Sequence, residues 1–125
     1  MNYLIDTNVL LVYLEGEQLL DDDMIRKIES EDNNIYVSAA SLWEIAIKSS
    51  MGKLQLKKGF DETLSVVTSS REWKILDIRP KHLSVLHSLP FHHSDPFDRL
   101  ILAQSMSEGI ELLHTDPVFD SYKMM

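Results

Sequence analysis

One stretch near the start of the sequence limits the folds that this chain can adopt. In it, a short apolar run ends in an acid, and a second apolar run follows at once. Residues 3–5 indicate a buried strand, Asp6 follows them, and residues 9–14 indicate a helix. We expect Thr7 or Asn8 to cap that helix, because either side-chain oxygen can accept a hydrogen bond from a free backbone N–H. Asp6 then lies where a strand ends and a helix begins, the edge of an open α/β sheet at which ligands bind. A plain capping or turn role for Asp6 is the alternative.

Strands and helices continue to alternate along the chain. Strands are predicted at 35–37, 73–78 and 110–113, with a short last strand at 122–124, and helices at 24–28, 38–48, 60–67, 80–86 and 96–106. This alternation implies an α/β fold with a parallel sheet covered on both faces. A length of 125 residues fits one domain spanning 1–125.

Charge and composition limit the possible functions. The net charge of −8 argues against nucleic-acid binding, unless several of the acids are gathered to hold cations. The chain has no cysteine, which excludes thiolate metal sites and cysteine nucleophiles. It has neither a basic–apolar leader nor an apolar run long enough to cross a bilayer, so a cytoplasmic protein without a membrane segment is expected.

Four acids fall near the carboxyl edge of the predicted sheet: Asp6, Glu44, Asp98 and Asp116. At an effective dielectric of about 20, two carboxylates 4 Å apart repel by about 4 kcal/mol. A cluster of this kind either protonates in part or binds a divalent cation. Oxygen ligands without cysteine favour Mg²⁺ or Mn²⁺, and such ions typically assist phosphodiester hydrolysis.

Each acid also has a structural explanation. Glu44 could form a capping box with Ser41 or pair with Lys48 one turn later. Asp95 is best explained as a helix cap, and Asp98 could simply be a favourable charge at a helix N-terminus.

The histidines and the basic residues leave further alternatives. His92 and His93 lie in a loop beside Pro90, where solvent exposure is the simpler expectation and metal ligation the alternative. A groove for phosphates could be lined by Lys48, Lys53, Lys57, Lys58 and Arg99, although Lys57 and Lys58 could equally form a solvated loop.

Three separated motifs resemble those of one family. LIDTNVLL at 4–11, VSAASLWEIAIK at 37–48 and DPFDRLI at 95–101 resemble the PIN-domain endoribonucleases, most closely the VapC-type toxins of toxin–antitoxin pairs. GKL at 52–54 and TDPVF at 115–119 fit the same pattern. The resemblance implies a three-layer α/β/α sandwich around a mostly parallel sheet. It further implies RNA cleavage by a homodimer that a cognate antitoxin holds inactive.

The resemblance also assigns site residues. Asp6, Glu44, Asp98 and Asp116 match the acidic quartet of the family, with Asp6 and Asp98 the most direct metal ligands. One departure lies at the fourth acid, where His114 stands two residues upstream in place of the family's usual threonine or serine.

At the fourth acid, Thr115 could supply the hydroxyl that the family's usual threonine or serine provides. A second departure is Ser94, which stands where relatives often carry a basic residue.

The prediction is a Mg²⁺-dependent endoribonuclease, with Mn²⁺ able to substitute. One alternative is a phosphatase with Asp6 as nucleophile, although Asn8 occupies the place where such sites usually carry a second acid. The other is a non-catalytic binding module whose acids dock a basic partner.

Overall fold

A computed structural model describes residues 1–16 and 20–122 and shows the expected alternation of strands and helices. The strands are β1 (Asn2–Ile5), β2 (Asn34–Ser38), β3 (Trp73–Leu76) and β4 (Glu111–Leu113). The helices are α1 (Thr7–Glu15), α2 (Asp22–Glu29), α3 (Ala39–Ser50), α4 (Phe60–Ser69), α5 (Pro80–Ser88) and α6 (Pro96–Glu108), followed by a 3₁₀ helix (Pro117–Tyr122).

The four strands form one parallel sheet in the order β3-β2-β1-β4. Alternate residues of β1 face opposite layers, because successive side chains of a strand point to opposite faces. Tyr3 and Ile5 pack in a cluster with α1, α2 and α4, whereas Leu4 packs with Leu100 and Ile101 of α6. The expected fold, an α/β/α sandwich around a parallel sheet, is thereby confirmed.

Two local predictions were wrong. The cap of α1 is Asp6 rather than Thr7 or Asn8, since the Asp6 carboxylate accepts a hydrogen bond from the backbone N–H of Val9 at 2.7 Å. Tyr122 ends the 3₁₀ helix instead of starting a strand, because its hydroxyl is drawn into hydrogen bonds with the loop before α6. The rest of that predicted strand, 123–124, lies outside the described residues.

No helix among the described residues combines the length and the apolar character that a membrane span requires.

Candidate active site

Asp6 is held at the carboxyl end of the central strand β1. Its side chain is buried, with 3 % of the residue exposed, and it caps α1 through Val9. The pKa of Asp6 is raised from 3.8 to about 7: burial is the largest cause, the negative charges of Asp98, Glu44 and Asp116 add to it, and the Val9 hydrogen bond opposes it. Asp6 is therefore a carboxylate whose charge the fold alone does not stabilise.

Glu44 is brought beside Asp6 by α3. That helix begins directly after β2, with Ser38 as its cap, and Ser41 accepts a hydrogen bond from Thr7 at 2.9 Å, which ties α3 to α1. The capping-box explanation through Ser41 is therefore wrong. Glu44 is 4 % exposed; Oε2 accepts from Lys48 Nζ, which confirms the pairing one turn on.

The second carboxylate oxygen of Glu44 is more informative. Oε1 is buried and has no hydrogen-bond partner among the described residues. An unpaired buried carboxylate oxygen is costly unless a proton, a water or a cation meets it. Glu44 thus offers a vacant oxygen on the same side of the sheet as Asp6.

Asp98 lies in the first turn of α6, where Asp95 caps the helix by accepting from the Asp98 N–H at 2.9 Å. Burial raises the pKa of Asp98, and the charges of Asp95 and Glu44 act in the same direction. A hydrogen bond from His93 Nε2 to Asp98 Oδ2, 2.7 Å long, lowers it in part. The expectation of a solvent-facing loop holds for His92 but is wrong for His93, which is half-buried against this acid.

Asp116 is the outlying member of the set. It is exposed in the loop after β4, and its Oδ1 accepts from the backbone N–H of Val118 at 3.0 Å. The loop is tied to α1 by a 2.9 Å hydrogen bond from the Asn8 amide to Thr115 Oγ1. His114 turns away and packs on Phe119, with ring centroids 4.8 Å apart, so Thr115 is the hydroxyl on the Asn8 side of this loop.

A cleft of about 340 Å³, here called the acidic cleft, joins these elements. Its walls include Glu44 and Asp98, and its lining is completed by Thr7, Asn8, Leu11, Ile45, Lys48, Lys53, Leu54 and Asp95. Asp6 is buried and does not line the cleft itself, although the charges of Glu44 and Asp98 in the cleft wall act on it. Asp116 lies outside the cleft lining. Asn8 lines the cleft with its amide turned to Thr115, so no second acid accompanies Asp6 in the manner an aspartyl phosphatase needs.

The acids do not form a ready-made cage. In residues 1–16 and 20–122, no three carboxylate or imidazole groups converge closely enough to hold a metal ion by themselves. Mg²⁺ usually keeps several waters and takes one or two protein carboxylates, so a full cage is not required. The oxygen-only donors, the vacant Glu44 Oε1 and the raised pKa of Asp6 fit a hydrated divalent ion. The assignment of the four acids as metal ligands stays a prediction.

The basic residues divide into two groups. Lys48 and Lys53 line the acidic cleft, whereas Lys57 and Lys58 line a separate depression, in which Lys57 Nζ donates to the Glu15 carbonyl. The expectation that Arg99 lines a phosphate groove is wrong. Arg99 is 7 % exposed, and its guanidinium is taken up by backbone carbonyls of the loop before α6.

Comparisons with known proteins agree with this architecture. The family model described as PIN domain matches residues 3–123. No curated protein matches. Among solved structures, VapBC2 from Rickettsia felis bound to a DNA fragment from its promoter superposes with a TM-score of 0.75 at 18 % identity, covering 98 % of this chain and 94 % of that one.

Two further solved structures share the fold. VapC20 from Mycobacterium tuberculosis, a toxin that cleaves the sarcin–ricin loop, gives a TM-score of 0.71 at 11 % identity over 97 % of this chain and 95 % of that one. FitAcB from Neisseria gonorrhoeae gives 0.61 at 15 % identity over 94 % and 89 %. At these identities the likeness concerns the fold.

Proposed function

The chain belongs to the PIN-domain family, and we propose that it is a metal-dependent endoribonuclease, the toxin of a toxin–antitoxin pair. The observation that carries the proposal is the group of Asp6, Glu44 and Asp98 at one cleft, where burial first, and then the charges of Asp98 and Glu44, raise the pKa of Asp6 to about 7. Support also comes from the shared fold, since VapC20, one protein with that fold, is a toxin that cleaves the sarcin–ricin loop.

In the proposed mechanism, Asp6 and Asp98 would hold a divalent ion, Mg²⁺ or in its place Mn²⁺. When bound, the ion polarises the scissile phosphate and makes a bound water more acidic. Glu44 and Asp116 orient the attacking water or hold a second ion, and the vacant Glu44 Oε1 is an acceptor for a proton of that water. The water oxygen bonds to phosphorus as the bond to O3′ breaks, and the leaving O3′ takes up a proton from solvent water, which leaves a 5′-phosphate and a 3′-hydroxyl.

Cations of the chain itself bring the substrate to this acidic surface. Lys53 lines the acidic cleft and is exposed, so it can contact a phosphate of the RNA backbone. Lys48 neutralises part of the Glu44 charge through its ion pair, which reduces the repulsion that an approaching phosphate meets. Two lysines beside the acids thus reconcile a net charge of −8 with an RNA substrate.

The proposal includes two protein partners. A cognate antitoxin would inhibit the nuclease by placing a basic side chain in the acidic cleft, because a cation there neutralises the same carboxylates that hold the metal. A second copy of the chain would form a homodimer, as the resemblance to VapC-type toxins implies. The cytoplasm, where its RNA substrate lies, is the proposed site of action.

The test is incubation of the free protein with total RNA, with Mg²⁺ or with a chelator, followed by analysis of the fragment ends. We expect cleavage with Mg²⁺ only, and ends that carry a 5′-phosphate. Asp98→Asn should abolish cleavage, while Asp61→Asn, which removes an exposed acid of α4 outside the cleft, should not. Cleavage in the presence of chelator, or ends that carry a 2′,3′-cyclic phosphate, would contradict the proposed mechanism.

A further inference from the structure

We propose that His93 is a positioning residue: it fixes the Asp98 carboxylate for cation binding, and the loop at 89–93 holds His93 in place. The proposal rests on the metal-dependent function proposed above. It assigns a purpose to three side chains that lie outside the acidic quartet, namely His93, Arg99 and Tyr122.

The contact itself is short and sheltered. His93 Nε2 lies 2.7 Å from Asp98 Oδ2, with 20 % and 24 % of the two side chains exposed. Because a carboxylate oxygen only accepts, the imidazole carries its donated proton on Nε2. The imidazole and the Phe119 ring pack in a T-shaped pair, with centroids 5.9 Å apart and planes at 89°, which restricts rotation of the imidazole.

Tyr122 fixes the backbone that carries His93. Its hydroxyl accepts from the N–H groups of His92 and His93, each at 3.1 Å, and donates to the Pro90 carbonyl at 2.8 Å. Tyr122 is 4 % exposed and closes the 3₁₀ helix, so the loop is anchored on a buried part of the fold. One phenol therefore sets the position of two consecutive backbone amides.

Arg99 holds the same loop through its backbone carbonyls. Nη1 donates to the carbonyls of Pro90 and His93, at 2.9 and 3.4 Å, and Nη2 donates to that of Leu89 at 3.3 Å. Phe91 covers the guanidinium, with its ring centroid 4.1 Å away. A buried guanidinium needs these acceptors, so departure of the loop would leave a costly unpaired charge.

The consequence for Asp98 concerns its two oxygens. Oδ2 is engaged by His93, and no hydrogen bond reaches Oδ1 within the described ranges, so Oδ1 is the oxygen available to a cation at the cleft. A fixed carboxylate loses less freedom when it binds an ion than a rotating one does. Hydrogen-bonded partners of ligating groups typically change metal affinity about 10- to 100-fold when they are removed.

The experiment measures Mn²⁺ binding directly, by the electron paramagnetic resonance signal of the free ion, with no RNA present. His93→Leu keeps an apolar side chain against Phe119 but removes the donor, and we expect it to weaken Mn²⁺ binding roughly tenfold. His93→Gln restores a nitrogen donor at a similar reach and should regain most of the affinity. His92→Ala is the matched control, because the His92 ring packs edge-to-face with Tyr122 while the hydrogen bond to Asp98 comes from His93, and it should bind as the parent protein does.

Three outcomes overturn the proposal: unchanged affinity in His93→Leu, equal loss in His93→Gln, or an equal loss in His92→Ala. Asp98→Asn separates the two proposals. If the parent protein binds no Mn²⁺ through Asp98, the nuclease proposal fails; if it does and His93→Leu is unaffected, only the role of His93 fails.

A further measurement needs no variant. Mg²⁺ titration of the parent protein should displace the ring ¹⁵N resonance of His93 Nε2 and leave that of His92 in place. Displacement of neither signal, or of both to the same extent, contradicts the proposal.

Discussion

Asp6 and Asp116 both follow strands at the same edge of the sheet, yet their carboxylates meet opposite surroundings. Asp6 follows the central strand and is 3 % exposed, whereas Asp116 follows the edge strand β4 and lies in solvent. Burial at the end of the central strand is the largest cause of the raised pKa of Asp6. Position in the sheet, more than position in a motif, sets how deeply each acid is buried.

The contrast between buried Asp6 and exposed Asp116 predicts its largest effect on RNA cleavage. Asp6→Asn keeps the helix cap, because asparagine caps as well as aspartate, and removes only the charge. We expect it to lower kcat/KM by about 10³-fold or more, since losing a metal ligand costs several kcal/mol in the transition state. Asp116→Asn, at the exposed rim, should lower it by about tenfold. If both variants lose kcat/KM equally, measured on one RNA substrate with Mg²⁺, burial does not determine how much each acid contributes to cleavage.

A second effect, on stability, has a sign that follows from the pKa of Asp6. The folded protein keeps the Asp6 proton up to about pH 7, whereas the unfolded chain loses it near 3.8. The contribution of Asp6 to the free energy of unfolding without divalent ions should therefore fall as pH rises from 4 through 7, and it is lost above pH 7.

The variant that tests this sign is again Asp6→Asn. At pH 8 without divalent ions, it should be more stable than the parent by on the order of 2–4 kcal/mol, and the difference should vanish near pH 4. Denaturant unfolding across this pH range checks the prediction, with Asp61→Asn, which removes an exposed acid outside the cleft, as the control that follows the parent protein. A parent that gains stability from pH 4 to 8 relative to Asp6→Asn would contradict it.

Much of the fold and part of the site could be predicted from the sequence, because both rest on local patterns. The apolar run of β1, the acid after it and the Asp95–Pro96 helix start are signals that span a few residues. Tyr122 and Arg99 are different. Tyr122 acts on a loop about 30 residues upstream, which no local pattern encodes.

Arg99 gives a misleading signal in the sequence. Its charge suggests a surface cation, but the fold buries the guanidinium under Phe91 and pairs it with backbone carbonyls. The contact between His93 and Asp98 was missed for a related reason, since adjacent histidines in a loop usually face solvent. The only signal in the sequence is their position a few residues before Asp98.

The smallest expected effect is on the salt dependence of RNA binding. It compares a lysine inside the acidic cleft with one outside it. Lys53 lines the acidic cleft, whereas Lys57 is hydrogen bonded to Glu15 in another depression. Lys53→Ala should reduce the slope of log affinity against log salt by up to about 1, and Lys57→Ala should leave it unchanged. Binding of a labelled single-stranded RNA to Asp98→Asn protein over a salt series measures both slopes. A larger change for Lys57→Ala would place the RNA on the other side of α1.

The central claim is that Asp6, Glu44 and Asp98 form a pocket whose charge a divalent ion stabilises. Its most direct test is the melting temperature at pH 8 as Mg²⁺ is raised to saturation, in the parent protein and in Asp6→Asn. We predict that the parent starts lower and rises by several degrees, while Asp6→Asn starts higher and barely responds. A parent whose melting temperature ignores both Mg²⁺ and Mn²⁺, or two proteins that rise equally, would contradict the claim.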